Sequence, residues 1–164
     1  MIITDILFDG LFAAFAGMGF GVISNPDRDT LPYIAILAAM GHAFRFVLIN
    51  YTNTDIATAS FCAALVIGMT SMVFGRLTHT PTTCLYIPAL LPMIPGMYAY
   101  KTVFALILFL QNLNTEASVQ LMHQILSNLT VTVIVVATLA IGATTPTFIF
   151  KKWVYSMTRE KKKA

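Results

Sequence analysis

Five apolar stretches, each about as long as a bilayer is thick, set the terms for any fold of this chain. A spanning helix needs about 20 mostly apolar residues. Residues 6–24, 31–50, 56–77 and 125–150 meet that length outright. A fifth stretch, 84–111, is equally apolar but is interrupted by Pro88, Pro92, Pro95 and Gly96. Polar, turn-forming segments separate them: Asn-Pro-Asp-Arg-Asp at 25–29, Tyr-Thr-Asn-Thr-Asp at 51–55, then 78–83 and 112–120. The runs are too long for strands and lack the alternation of a membrane barrel. Charged residues make up only 10% of the 164 and hydrophobic ones 57%, too little charge to wet the surface of a soluble domain. The expected fold is an all-α polytopic membrane protein with one helix broken by proline and glycine. It forms a single transmembrane domain over 1–150, followed by a basic tail, 151–164.

The same composition excludes several function classes. A disordered chain or a disulfide scaffold does not fit so apolar a sequence with two cysteines, Cys62 and Cys84. Both cysteines fall in or beside apolar runs without metal-ligand spacing, so buried free thiols are expected. The net charge of +3 is concentrated at one end, with six of the ten Lys and Arg between Lys151 and Lys163. A basic tail at a membrane boundary acts as a cytoplasmic anchor. No basic surface interleaved with aromatics exists elsewhere, so nucleic acid is not an expected partner. Residues 1–5 carry an acid and no Lys or Arg, unlike a cleaved signal peptide, so the first apolar segment is expected to stay.

Counting cations by loop gives an orientation. With the N-terminus outside, the inner segments hold Arg28, Arg76 and the six tail cations, while the outer ones hold none. Eight against zero is a strong positive-inside asymmetry. It also favours an odd number of crossings, and hence a full fifth crossing by 84–111. The expected location is the cell inner membrane, with the C-terminus cytoplasmic.

Within the spans, polar residues need reasons, because a charge at the centre of a bilayer helix costs about 2.5–3.5 kcal/mol even on gentle scales. The second span carries Gly41-His42-Ala43-Phe44-Arg45. His42 and Arg45 are three apart and share a helix face, and Gly41 admits a close neighbour. Arg45 either snorkels toward the outer headgroups or faces a ligand or partner. Asp9, near the outer end of the first span, either touches interfacial water or titrates. With His42 it is the candidate for proton coupling. Ala13, Ala14, Gly17 and Gly21 mark a small-residue stripe for close helix packing.

The fifth stretch holds Pro92-Met93-Ile94-Pro95-Gly96, with Lys101 beyond it. Proline removes backbone donors and Gly96 permits positive φ, so the helix is expected to break. Non-helical backbone at membrane depth survives when buried in protein or lining a wet cavity, as in the broken helices of transporters. The alternative is a kinked or re-entrant packing element without a ligand. In the last span Asn128 is the polar residue expected to make a cross-helix or substrate hydrogen bond. Its threonines are expected to bond their own backbone. His42, His79 and His123 lie at different depths, which provides no metal site, and no cofactor is expected. No Gly-x-Ser-x-Gly run or acid cluster suggests catalysis, so the chain is not expected to be an enzyme.

Gly41-His42-x-x-Arg45, the stretch from Ile87-Pro88 through Pro92-Met93-x-Pro95-Gly96-x-x-Ala99-Tyr100, and Asn128 followed by Ile141-Gly142 and Pro146 together resemble the threonine/serine exporter family. More narrowly, the sequence is similar to short, split members that serve as subunits of a succinate export system. The resemblance runs from the first span to the basic tail and implies a C-terminal half that works with a separate membrane subunit like the N-terminal half. It also implies efflux of threonine and serine, or of dicarboxylates in the split form. By carry-over, His42, Arg45, Pro92, Pro95, Gly96 and Asn128 are the motif positions, some binding ligand and others shaping the fold. Lys101 lies just past the matching Ala-Tyr pair, outside the shared pattern. Five helices enclose little, so a pathway needs a partner subunit or further copies of the chain. Arg45 and Lys101 suit a substrate carboxylate, and the scarcity of intramembrane acids tilts the reading toward a dicarboxylate over an amino acid.

Overall fold

The computed structural model describes residues 2–24, 27–113 and 115–155. These residues are helical throughout, with no strand among them. In order the helices are α1 (Ile2–Ile23), α2 (Leu31–Tyr51), α3 (Ile56–Leu77), α4 (Thr82–Leu90), α5 (Gly96–Gln111) and α6 (Ala117–Ile149). Short 3-10 turns, Arg28–Thr30 and Leu91–Met93, precede α2 and follow α4. Four of the helices are long and apolar enough to cross a bilayer, and α4 with α5 forms a bent pair that adds a fifth candidate. The protein is therefore a multi-pass, all-α membrane protein. Among the basic tail residues, 156–164 lie outside the described residues, as do Asn25 and Pro26 of the first loop.

Local chemistry explains the boundaries. Asp55 caps α3, its carboxylate accepting from the N–H groups of Ala57 and Thr58 at 3.1 and 2.9 Å and from the Thr58 hydroxyl at 2.6 Å. The Thr58 bonds hold the Asp55 carboxyl below its usual range, the side-chain bond most of all. At its other end α3 stops where His79 takes a left-handed φ of 52° and the Thr80 N–H returns to the Gly75 carbonyl at 3.0 Å. α6 starts eight residues before the expected 125 and absorbs part of the polar segment 112–120. Its 33 residues make a rod roughly 50 Å long, against a hydrocarbon core of about 30 Å. Glu116 to Gln120 offers no proline or glycine to stop it.

The chain divides into two compact units, one running to Met93 and resuming at Thr138, the other Ile94–Ala137. In the first unit the small-residue stripe of α1 packs on α2: Ala13 is buried, a Cβ on Gly17 would lie 2.7 Å from that of Ala38, and one on Gly21 would lie 3.1 Å from Ile34 and Leu31. Gly68 of α3 abuts the Ala143 backbone of α6, and Gly142 abuts Phe61 and Ala64. These are the contacts that drive helix association in lipid, where apolar burial contributes little. The outward residues of α1 (Leu7, Phe8, Leu11, Phe12, Phe15) are exposed, as a lipid-facing helix requires. In the second unit Ala105 and Val135 are buried, while Val103, Phe104, Ile107 and Leu110 of α5 are exposed.

The threonines of α6 behave as expected, with Thr130, Thr132, Thr144 and Thr145 each donating to the carbonyl four residues back. Both cysteines are free, but Cys84 is exposed and Cys62 only half-buried. The expectation of buried thiols fails at Cys84 because it sits near the start of α4, on the face away from the buried Leu85, Pro88 and Ala89.

Candidate functional site

The polar centre of the first unit is built by α1, α2 and the turn after α4. His42 and Arg45 occupy one face of α2, and each reaches a different neighbour. The Nδ1 of His42 lies 2.5 Å from Oδ2 of Asp9 on α1, with both side chains about a quarter exposed. When His42 is neutral this is a hydrogen bond donated by the ring, and when it is protonated it is an ion pair. The two proton-coupling candidates are thus one contact, made across the closely packed α1–α2 interface that Gly10 and Gly17 allow.

Arg45 does not extend toward Asn50 and the headgroups. Its Nη1 donates to the main-chain carbonyl of Met93 at 2.9 Å. That carbonyl is available because of the prolines. Leu91–Met93 is a 3-10 turn, and Pro95 adopts φ −77° and ψ 66°. The Gly96 N–H then closes on the Ile94 carbonyl at 2.8 Å. This is an inverse γ-turn centred on Pro95. The ladder of α5 begins afterwards, with the Tyr98 and Ala99 N–H groups donating to Pro95. The Met93 carbonyl therefore drops out of the helical ladder at membrane depth, where an unmet acceptor is costly, and the guanidinium supplies the donor. Asn50 instead bonds its own helix, at Phe46.

Gly41 gives this arrangement its closeness. A Cβ there would meet Ile67 of α3, its Cγ1 at 2.6 Å, and the Met93 side chain at 3.0 Å. Ile67 and Met93 are both fully buried, so α2 is clamped between α3 and the broken segment where Arg45 projects. Pro95 is buried and Pro92 half-buried. Gly96 departs from its expected role: no glycine among the described residues has positive φ, and nothing lies within 4 Å of a Cβ built on Gly96. The γ-turn at Pro95 makes the reversal, so Gly96 enters α5 as an ordinary helical residue.

Lys101 and Asn128 lie in the second unit. Lys101 is exposed on α5. The Asn128 side-chain amide donates to the Gln124 carbonyl of its own helix at 2.8 Å; of the expected cross-helix or substrate bond, no cross-helix bond is seen among the described residues. Sequence reasoning missed the Met93 carbonyl and the His42–Asp9 pairing. The first had a signal, since three prolines in eight residues must orphan carbonyls and an arginine within a span, such as the half-buried Arg45, is a ready donor. The second joins residues 33 apart, and no local pattern announces it.

Comparison with known proteins settles the class. Residues 9–149 match the family described as threonine/serine exporter, ThrE. The chain belongs to the threonine/serine exporter family. A curated relative, an uncharacterised protein of Haemophilus influenzae, is 33% identical over 145 residues, covering 88% of this chain and 48% of the relative. The chain thus spans about half the length of that relative. No solved structure matches it. The matched region contains the whole Asp9, His42, Arg45 and Met93 cluster, so the site described above lies inside the exporter domain.

Proposed function

We propose that the chain is a membrane subunit of a split secondary transporter, exporting a small carboxylate of the succinate type, or threonine and serine, together with a second subunit that resembles the N-terminal half of the family. The observation that carries this reading is Arg45 bonded to the carbonyl at the break of a proline-broken helix, inside an exporter domain. A guanidinium there attracts a substrate carboxylate, for which charge-assisted bonds are strong in a partly desolvated site. The carboxylate competes with the Met93 carbonyl for Arg45, and release of that carbonyl loosens the broken segment. Substrate binding is thereby linked to the rearrangement that alternating access needs. The His42–Asp9 pair, one turn away, takes and returns a proton as the state changes. Lys101 and Asn128, on the second unit, are further candidate substrate contacts, independent of the Arg45 site.

Support for a second subunit comes from the coverage: the relative has as much chain again beyond the shared half. The polar ends of the first unit support the orientation. Arg28, Arg76, Lys151 and Lys152 lie at one end, together with Asp27 and Asp29, whereas the other end holds Asp5 and Asp55 and no Lys or Arg among the described residues. The positive-inside bias assigns the first to the cytoplasm and the N-terminus to the outside of the inner membrane. The second reading is a non-transporting subunit that stabilises a partner. It is favoured by the same Arg45–Met93 bond if that bond only holds the fold together.

Efflux of labelled succinate and labelled threonine from vesicles decides between them. The chain is assayed alone and with a second subunit of the family. Transport only with the partner is the expected result, and the preferred label gives the substrate class. Transport by the chain alone indicates a homo-oligomeric carrier, and none in either case leaves the accessory role.

A further inference from the structure

At the basic end of the first unit, a groove of about 540 Å³ runs between the last turns of α3 and the segment that follows α6. Its wall is Met69, Val73 and Leu77, four residues apart on one face of α3, with Phe150 opposite. Met69, Val73 and Leu77 are each more than half exposed, so the groove opens along the face that lipid covers. Arg76 and Trp153 close its polar end. The Arg76 Nε donates to the Trp153 carbonyl at 2.6 Å, and its guanidinium carbon lies 4.5 Å from the Trp153 ring centre. The Trp153 N–H is in turn tied to the Phe150 carbonyl at 2.7 Å. The guanidinium is thus held in place by a carbonyl and a ring, and its Nη groups make no hydrogen bond among the described residues. Lys152 lies next to Trp153 and is exposed. Among the described residues no acid lines the groove; Asp27 and Asp29 line a different depression at this end.

The geometry points to a binding site for one anionic glycerophospholipid, its phosphate on Arg76 and Lys152 and an acyl chain along Met69, Val73 and Leu77. The charge complements a phosphate, since Arg76 stands at the polar end of the groove and Lys152 lines an adjoining depression that shares Phe150 and Trp153 with it. A fixed guanidinium offers paired donors to phosphate oxygens at small entropic cost. An aromatic ring at the headgroup level is the usual interfacial anchor, and basic recesses between spanning helices are known lipid-binding features. This site uses none of the residues assigned to transport.

The test is lipid retention by the purified full chain in zwitterionic detergent, read by native mass spectrometry. Phosphatidylglycerol and phosphatidylcholine of the same chain length are added in competition. The site predicts about a tenfold preference for phosphatidylglycerol: both lipids bring a phosphate to Arg76, but the choline cation of phosphatidylcholine is repelled by Arg76 and Lys152. Arg76→Gln abolishes that preference, and Arg28→Gln, at the same end but outside the groove, keeps it. Val73→Trp, which fills the apolar wall and leaves Arg76 intact, also loses the lipid, and it serves if Arg76→Gln does not fold. Equal retention of the two lipids, or an undiminished preference in Arg76→Gln and in Val73→Trp, overturns the proposal. So does displacement by glycerol 3-phosphate alone, which would assign the cations to a soluble anion.

Discussion

A single methyl group at Gly68 tests the helix packing on which the site rests. In Gly68→Ala the new carbon would lie 2.5 Å from the Ala143 carbonyl oxygen and 3.1 Å from its carbonyl carbon and Cα. All three are backbone atoms of α6, so no side chain can rotate out of the way. Carbon–oxygen contacts settle near 3.3 Å, so the two helices would have to part by roughly 0.8 Å. Parting them opens space beside Ala64 and Ile67, which are fully buried. Overpacking costs about 1–3 kcal/mol, and the rigid backbone puts this case at the upper end. Alanine returns about 1 kcal/mol through helix propensity. The clash wins, leaving a net loss of about 2 kcal/mol. At about 2–4 °C per kcal/mol for a chain of this size, Tm falls by roughly 4–8 °C. Gly19→Ala provides the contrast, since nothing lies within 4 Å of a Cβ there; its Tm should hold or rise slightly. Thermal unfolding of both variants in detergent makes the comparison. Equal Tm values for Gly68→Ala and Gly19→Ala would refute the close crossing of α3 and α6.

Other outcomes follow from the same contacts. Asp55→Ala should lower Tm at neutral pH by removing the cap of α3. Because folding lowers the Asp55 pKa, its contribution is present above the ordinary carboxylate range and disappears as pH falls through the lower folded value. The gap between wild type and Asp55→Ala should therefore close in acid, while Asp55→Asn, which caps without titrating, stays insensitive; a gap unchanged down to pH 2 contradicts the cap. Asp9→Asn keeps a hydrogen-bond partner for His42 but removes the charge, so the pH dependence of transport should shift while complex assembly persists. An unaltered pH profile would separate the pair from proton coupling. In a background with Cys62 and Cys84 replaced by Ser, Asn53→Cys should react with an impermeant thiol reagent in intact cells and Lys152→Cys only after permeabilisation; the reverse pattern inverts the topology.

Much of the fold was legible because lipid leaves few choices. Spans of the right length must be helices, and α3 ends at the residues where Asp55 and the turn at His79 and Thr80 place its caps. The break at Pro95 was readable, since a residue without an N–H cannot continue the ladder. Glycine at 96 permits a left-handed turn without requiring one, and Pro95 alone supplies the reversal. The start of α6 lies earlier than the expected 125 because polarity does not by itself mark a loop: Ala117 to Gln120 can continue a helix beyond the apolar run. The α1 stripe was visible as a pattern within one helix. The Gly68–Ala143 and Gly142–Ala64 contacts join two helices far apart in sequence and were not. The same holds for the site: His42 and Arg45 stood out by the cost of placing them in a membrane, but their partners are tertiary facts.

In the proposed scheme Arg45 serves the substrate as well as the Met93 carbonyl. Efflux by Arg45→Gln, reconstituted with the proposed second subunit and with assembly followed on the same preparation, decides whether it does. Glutamine retains an amide donor of similar stem but carries no charge with which to attract a carboxylate. The expected result is an assembled complex whose transport is lost. Undiminished efflux, or loss of assembly together with transport, would contradict it and leave Arg45 as a structural tie.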